Sequence, residues 1–181
     1  MIRVRAATQA DARGIARIHV ETWRSAYAGM LPDRTLIDMT VDGKAAAWRH
    51  NLGRPNMREA VLVAEAAGTG PIGFASAGPN RSAGLPFAGE VETLYVLPDW
   101  QNQGVGRALL AGCFQALKSR SLASALIWVL ADNPSRFFYE RMGGKRAGER
   151  DEALWGTTLH EIAYGWNRLE IRHPHPSTGE G

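Results

Sequence analysis

Residues 90–106 read Glu90-Val91-Glu92-Thr93-Leu94-Tyr95-Val96-Leu97-Pro98-Asp99-Trp100-Gln101-Asn102-Gln103-Gly104-Val105-Gly106, and this stretch decides the fold. Glu90 to Val96 has the length and residue types of a strand, and Pro98 ends it. From Gly104 onward, Val105, Ala108, Leu109, Gly112, Cys113, Ala116 and Leu117 recur at helical spacing for more than three turns. A helix that opens on Gly104 and Gly106 presents N–H groups without intrahelical acceptors, and its dipole favours a negative group there. Glycine removes the side chains that would keep a phosphate away from those groups.

Two familiar phosphate loops do not fit. A dinucleotide fingerprint needs a third glycine at position 109, which is Leu109. A P-loop needs lysine and then serine or threonine after Gly106, where Arg107 and Ala108 stand. Without further signals, two glycines are equally the start of an ordinary helix.

Working outward, residues 2–6 alternate apolar and charged and predict a half-buried strand. Thr8 and Asp11 form a capping-box pattern for a helix whose inner face carries Ile15, Ile18 and Thr22 and which fades before Gly29. Leu31-Pro32-Asp33 predicts a break and then a second helix over about 33–52, weakened near Gly43. Residues 60–64 and 72–77, joined by Gly68-Thr69-Gly70-Pro71, read as a hairpin. The continuous apolar run 125–130 predicts a strand buried on both faces. Asn133-Pro134 is an N-cap and N1 pair for a short helix reaching Met142, which Gly143-Gly144 stops. A polar loop then leads to a last strand over 159–166. The fold class is therefore a single α/β (α+β) domain over residues 1–170, with helices packed on a mixed, mostly antiparallel sheet. Residues 171–181, with His173 and His175, read as a flexible tail.

Composition narrows the function classes. The 181 residues are 45% hydrophobic, enough for a packed core, and no apolar run is long enough to span a bilayer. The net charge is only +3 and the arginines are scattered, so neither a nucleic-acid partner nor a membrane partner is expected. A single cysteine excludes an internal disulfide and a cysteine-rich metal site. His19 and His50 lie on separate helices with no third ligand in register, so no metal is expected. These features fit a cytoplasmic protein; a homodimer is left open.

The chain resembles the GCN5-related N-acetyltransferase (GNAT) superfamily. Gln101, Gly104 and Gly106 meet its loop pattern Gln/Arg-x-x-Gly-x-Gly/Ala, and Leu94-Tyr95-Val96-Leu97-Pro98 is similar to the strand that leads into that loop. Asn133, Phe138-Tyr139-Glu140-Arg141 and Gly143 are similar to its second motif. The resemblance implies acetyl-CoA as co-substrate, with its pyrophosphate on the N–H groups of the loop Gln101, Asn102, Gln103, Gly104, Val105, Gly106 and Arg107. It further implies a sheet splayed at its centre, with helices on both faces. The pantetheine arm would pair like an added strand beside Leu94, Tyr95 and Val96.

An amine must lose its proton before it can attack a thioester, and the departing thiolate needs one. Glu90 stands 14 residues before Gly104, where the histone-acetylating branch of the family has its base, and Glu92 shares its strand face. Taken without the resemblance, both are equally carboxylates of a solvated face. Tyr139, six residues beyond Asn133, matches the family's proton donor, and by itself is equally a packed aromatic beside Phe137 and Phe138. Asn133 serves as a pantetheine contact or as a cap. Cys113 lies on the inward helical stripe and reads as core. The resemblance places the acceptor between the first two helices, which carry Trp23, Tyr27 and Trp48, and the loop before the last strand, which carries Glu149, Asp151, Glu152 and Trp155. The expected function is N-acetyl transfer from acetyl-CoA to a primary amine of a small molecule or a peptide. An acyl-CoA-binding sensor on the same fold is the alternative.

Overall fold

The computed structural model describes residues 1–171. The tail predicted from position 171 lies, apart from Ile171, outside the described residues. Seven strands form one sheet in the order β1-β2-β3-β4-β5-β7-β6: β1 (Ile2–Ala6), β2 (Ala60–Ala66), β3 (Gly70–Pro79), β4 (Gly89–Val96), β5 (Ala125–Leu130), β6 (Lys145–Leu154) and β7 (Thr157–Trp166). Five helices accompany them: α1 (Ala12–Ala26), α2 (Asp33–Asp38), α3 (Val41–Leu52), α4 (Val105–Lys118) and α5 (Arg136–Arg141).

Every strand pair is antiparallel except β4 and β5, which run parallel. Those two meet only at Gly89↔Ala125 and Glu90↔Leu126. Beyond Glu90 they part, and the edge of Val91–Val96 that faces β5 has no strand beside it. On its other edge β4 stays paired with β3, from Gly73↔Val96 to Pro79↔Gly89. The register slips between Ser76 and Ala77, so that Ser76 faces Thr93 while Ala77 faces Val91, and Glu92 is the extra residue of a bulge. A bulge twists its strand and re-aims the extra side chain.

The two sheet faces are packed differently. The inward stripe of α4 (Val105, Leu109, Leu110, Cys113, Leu117) meets Ala64, Ile72, Ala75 and Val91 on one face. Ile15 and Ile18 of α1 meet Val61, Val63 and Phe74 on the other, with Trp48 of α3 at their side. The predicted capping box is present: Asp11 accepts from Thr8 N–H at 2.8 Å, and Arg5 holds the same carboxylate at 2.8 and 2.9 Å.

Three local expectations need correcting. The segment 33–52 breaks at Met39-Thr40, not at Gly43, because Thr40 takes an extended conformation and caps α3 by accepting from Gly43 N–H at 3.1 Å. Residues 145–154 form a strand, β6, where a polar loop was expected. It lies at the sheet edge with much of its length exposed, so its charged residues need no apolar alternation. Regular helix α5 begins at Arg136 rather than at Pro134, although Asn133 Oδ1 does cap the preceding turn by accepting from Ser135 N–H at 2.9 Å.

Candidate active site

The splay between β4 and β5 opens beside the glycine turn. Asn102 and Gly104 both adopt left-handed conformations, with φ of 60° and 83°. The first helical hydrogen bond of α4 runs from Ala108 N–H to Gly104 C=O, so the N–H groups of Gly104, Val105 and Gly106 emerge at the helix end. Gln101 Nε2 donates to Val96 C=O at 3.0 Å and Gln103 Nε2 to Asp99 C=O at 2.8 Å, which ties the loop to the strand before it. The glycines differ in role. A Cβ on Gly104 would meet nothing within 4 Å, whereas one on Gly106 would sit 3.3 Å from the Phe138 ring. Gly104 therefore supplies the turn, and Gly106 lets α4 approach α5. The loop thus presents backbone N–H groups at the helix end, an arrangement complementary to an anion.

Tyr139 projects from α5 into the core beside this loop and is buried. Its ring packs against Phe138 (5.1 Å), Trp166 (6.4 Å) and Tyr164 (6.5 Å). Burial raises its pKa, with the neighbouring Tyr95 and Cys113 adding to the effect, so the phenol stays protonated. Cys113 is core as expected, with burial pushing its thiol up to about 12.

Glu90 and Glu92 both reach Arg81, which the loop after β3 supplies and which the sequence did not single out. Glu90 is buried and accepts from Arg81 N–H (3.0 Å), Nε (3.3 Å) and Nη2 (3.0 Å). Glu92 has only looser contacts, to Arg81 Nε at 3.3 Å and Arg58 Nη1 at 3.9 Å. Both contacts are made by its Oε1, which is shut from solvent and receives no hydrogen bond among the described residues. Burial raises the Glu92 pKa, and Arg81 offsets this only in part.

Trp23, Tyr27 and Trp155 come together across the mouth of the splay. Trp23 stands edge-on to Tyr27 (5.1 Å) and to Trp155 (5.9 Å), although Trp155 is 132 residues away in the chain. Trp155 occupies the β6–β7 turn with φ of 51° and is exposed. The Tyr27 hydroxyl lies against Tyr95 and Asn133, and its pKa is raised mainly by burial. The acidic residues expected in this pocket divide between faces. Glu149 and Asp151 turn away to clamp the exposed His160, at 3.1 and 2.7 Å. Glu152 joins Arg150, whose guanidinium also binds Glu161 at 2.6 Å and lies 4.2 Å over Trp128. Strand alternation puts Glu161 on the same face as the pocket, and a strand over 159–166 already contained that information.

The model of the acetyltransferase (GNAT) family matches residues 15–144, a span that holds the splay, the glycine turn and Tyr139. The chain belongs to the GNAT family. Among its GNAT relatives, the uncharacterised N-acetyltransferase YuaI of Bacillus subtilis is 33% identical over 169 residues, covering 93% of this chain and 95% of that protein. The fold is shared with the paiA N-acetyltransferase of Thermoplasma acidophilum in complex with coenzyme A (TM-score 0.66, 19% identity, 90% of this chain and 98% of that one). It is shared also with the ribosomal-protein-alanine N-acetyltransferase of Brucella melitensis (TM-score 0.65, 24% identity, 91% and 98%). Among the described residues no helix is long and apolar enough to cross a membrane, and no cluster of three His, Cys, Asp or Glu could hold a metal ion.

Proposed function

We propose that this GNAT protein transfers the acetyl group of acetyl-CoA directly to a primary amine, with Glu92 as general base and Tyr139 as general acid. The observation that carries the assignment of the base is Oε1 of Glu92 on the bulge of β4, at the start of the splay: it is shut from solvent, receives no hydrogen bond among the described residues, and is held only by the looser ion pairs to Arg81 and Arg58. Glu90 already spends its oxygens on Arg81. An alkylamine of pKa near 10 is about one part in a thousand neutral at pH 7. A carboxylate that burial has made more basic, held by loose ion pairs rather than by hydrogen bonds, suits the removal of that proton.

The backbone cradle of Gly104 to Gly106 fits the pyrophosphate, and the open edge of Val91–Val96 fits the amide-bearing pantetheine arm. In the transfer the amine nitrogen bonds to the thioester carbonyl carbon and the carbon–sulfur bond breaks. The ammonium proton passes to Glu92 before attack, the Tyr139 hydroxyl gives its proton to the departing thiolate, and the second proton that nitrogen sheds on becoming an amide replaces the one Tyr139 gave. Burial keeps that proton on Tyr139 until it is needed. The acceptor enters between Trp23, Tyr27 and Trp155.

The test is release of free CoA thiol over a broad panel of amines and N-terminal peptides, alongside calorimetric binding of acetyl-CoA. Acceptor-dependent release supports transfer. Tight acetyl-CoA binding with no release from any acceptor would instead assign a sensor on the same fold.

A further inference from the structure

The aromatic wall behind the acceptor mouth holds an imbalance of hydrogen-bonding groups. The indole N–H of Trp48 is a donor only and lies 3.5 Å from His19 Nδ1, so that nitrogen accepts and the imidazole proton sits on Nε2. Burial, with Lys44 second, pushes the His19 pKa down to about 4, so the ring is neutral near pH 7. His19 Nε2–H therefore faces the interior as a donor. One helical turn on, Trp23 Nε1–H is also a donor, and the two ring centres are 5.0 Å apart. Both nitrogens are shut from solvent, and neither has a hydrogen-bond partner among the described residues. The Tyr95 hydroxyl is near enough to Trp23 Nε1–H to interact with it, yet makes no full hydrogen bond, so it meets that donor's need only in part.

A buried donor with no acceptor costs about 1–3 kcal/mol, so two in adjoining rings call for a shared acceptor atom. The charge nearby has the matching sign. Lys44 Nζ stands 6.0 Å from the Trp23 ring centre and is close enough to His19 to lower its pKa. Glu161, the acid that acts on Tyr95, is already tied to Arg150 at 2.6 Å. Two neutral donors and a cation, set in aromatic surroundings, are complementary to a carboxylate attached to an apolar group.

We propose that His19, Trp23 and Lys44 bind the carboxylate of an amino-acid acceptor, whose side chain packs against Trp23, Tyr27 and Trp155 while its amine is presented to Glu92. The proposal rests on the N-acetyl transfer argued above and specifies its acceptor. His19 and Trp23 recognise substrate; they do not take part in proton transfer.

The experiment compares L-phenylalanine, L-phenylalaninamide and phenethylamine, which share one side chain and differ at the carboxylate. In acetyl-CoA-dependent CoA release, kcat/KM for L-phenylalanine exceeds that for the other two by about tenfold or more, the scale of one good charge-assisted contact. Trp23→Phe, which keeps a ring and removes the N–H, and Lys44→Met, which changes only a partly exposed side chain, each shrink that ratio about fivefold or more. Equal kcat/KM for phenethylamine overturns the proposal, and preference for the carboxamide would replace it with a peptide N-terminus. Should none of the three release CoA, tryptophan fluorescence reads the corner separately from turnover. Saturable quenching by L-phenylalanine but not by phenethylamine upholds the carboxylate site, and equal responses overturn it.

Discussion

Glu90 closes on Arg81 with three hydrogen bonds, one to the main-chain N–H and two to the guanidinium, and so links β4 to the loop that follows β3. Glu92, two residues along, shares the same guanidinium through one contact only. The two carboxylates that look equivalent in sequence are separated by this pairing into one held by hydrogen bonds and one held only by looser ion pairs.

Their substitutions should therefore differ in kind. Glu92→Gln is expected to lower kcat/KM at neutral pH by about 10² or more, with partial recovery at high pH as the amine deprotonates without help. Because the Glu92 pKa is raised, wild-type kcat/KM climbs with pH through that raised value, and the variant loses this limb. Glu90→Gln is expected to cost about 1–2 kcal/mol of stability, Arg81 being half-exposed, with a smaller effect on the chemical step. Urea unfolding and a pH–rate profile on both variants decide the matter. A larger rate loss in Glu90→Gln would return the base role to Glu90.

Tyr139→Phe separates packing from proton donation. The ring contacts with Phe138, Tyr164 and Trp166 survive, so Tm should stay within a few degrees of wild type. The thiolate loses its donor, and kcat should fall by about 10² while the Kd for acetyl-CoA stays within about twofold. Single-turnover measurements are the check, since slow product release would hide the loss in steady state.

Much of this arrangement is legible in the amino-acid sequence. The alternation in residues 2–6, the apolar run 125–130 and the helical period from Val105 each name one element, because in each the buried face dictates the residue types. β6 was hidden for the opposite reason: at an exposed edge, Arg146, Glu149, Arg150, Asp151 and Glu152 satisfy each other and their neighbours across strands rather than a core. The difference between Glu90 and Glu92 was also invisible, since it arises from Arg81 in a loop and from a bulge set by the pairing of β3 with β4. Spacing places side chains on a face; it does not say which partner has already claimed them.

The glycine turn makes a sharper claim about two positions. Gly104→Val forces a β-branched residue to φ of 83°, a strain of about 1–3 kcal/mol that reshapes the cradle. Gly106→Val drives a side chain toward Phe138, from which even its Cβ would be only 3.3 Å away, and so pries α4 from α5. Each is expected to raise the Kd for acetyl-CoA by about tenfold or more, as measured by calorimetry. Unchanged affinity in folded variants would move the pyrophosphate elsewhere.

His19 predicts a pH dependence of stability with a definite sign. Its pKa falls from 6.5 in the unfolded chain to about 4 in the folded protein, mainly through burial. Between those values the unfolded state binds a proton that the native state refuses, so stability declines as pH falls from about 6.5 toward 4 and the contribution is whole above 6.5. At 1.36 kcal/mol per unit, the loss between pH 7.5 and pH 4.5 is up to about 3 kcal/mol. Asp11 acts in a lower window: Arg5 holds its carboxyl down at about 2, so its stabilisation is present above about pH 4 and disappears as pH falls through 2. Glu92, Glu161 and His160, whose pKa values are raised, titrate in the same range, so urea titrations at pH 7.5, 5.5 and 4.5 isolate the histidine by difference, and His19→Phe should flatten the slope that wild type shows. If both proteins lose stability equally over that range, His19 is protonated in the fold, and its Nε2 proton no longer identifies a neutral donor in the acceptor wall.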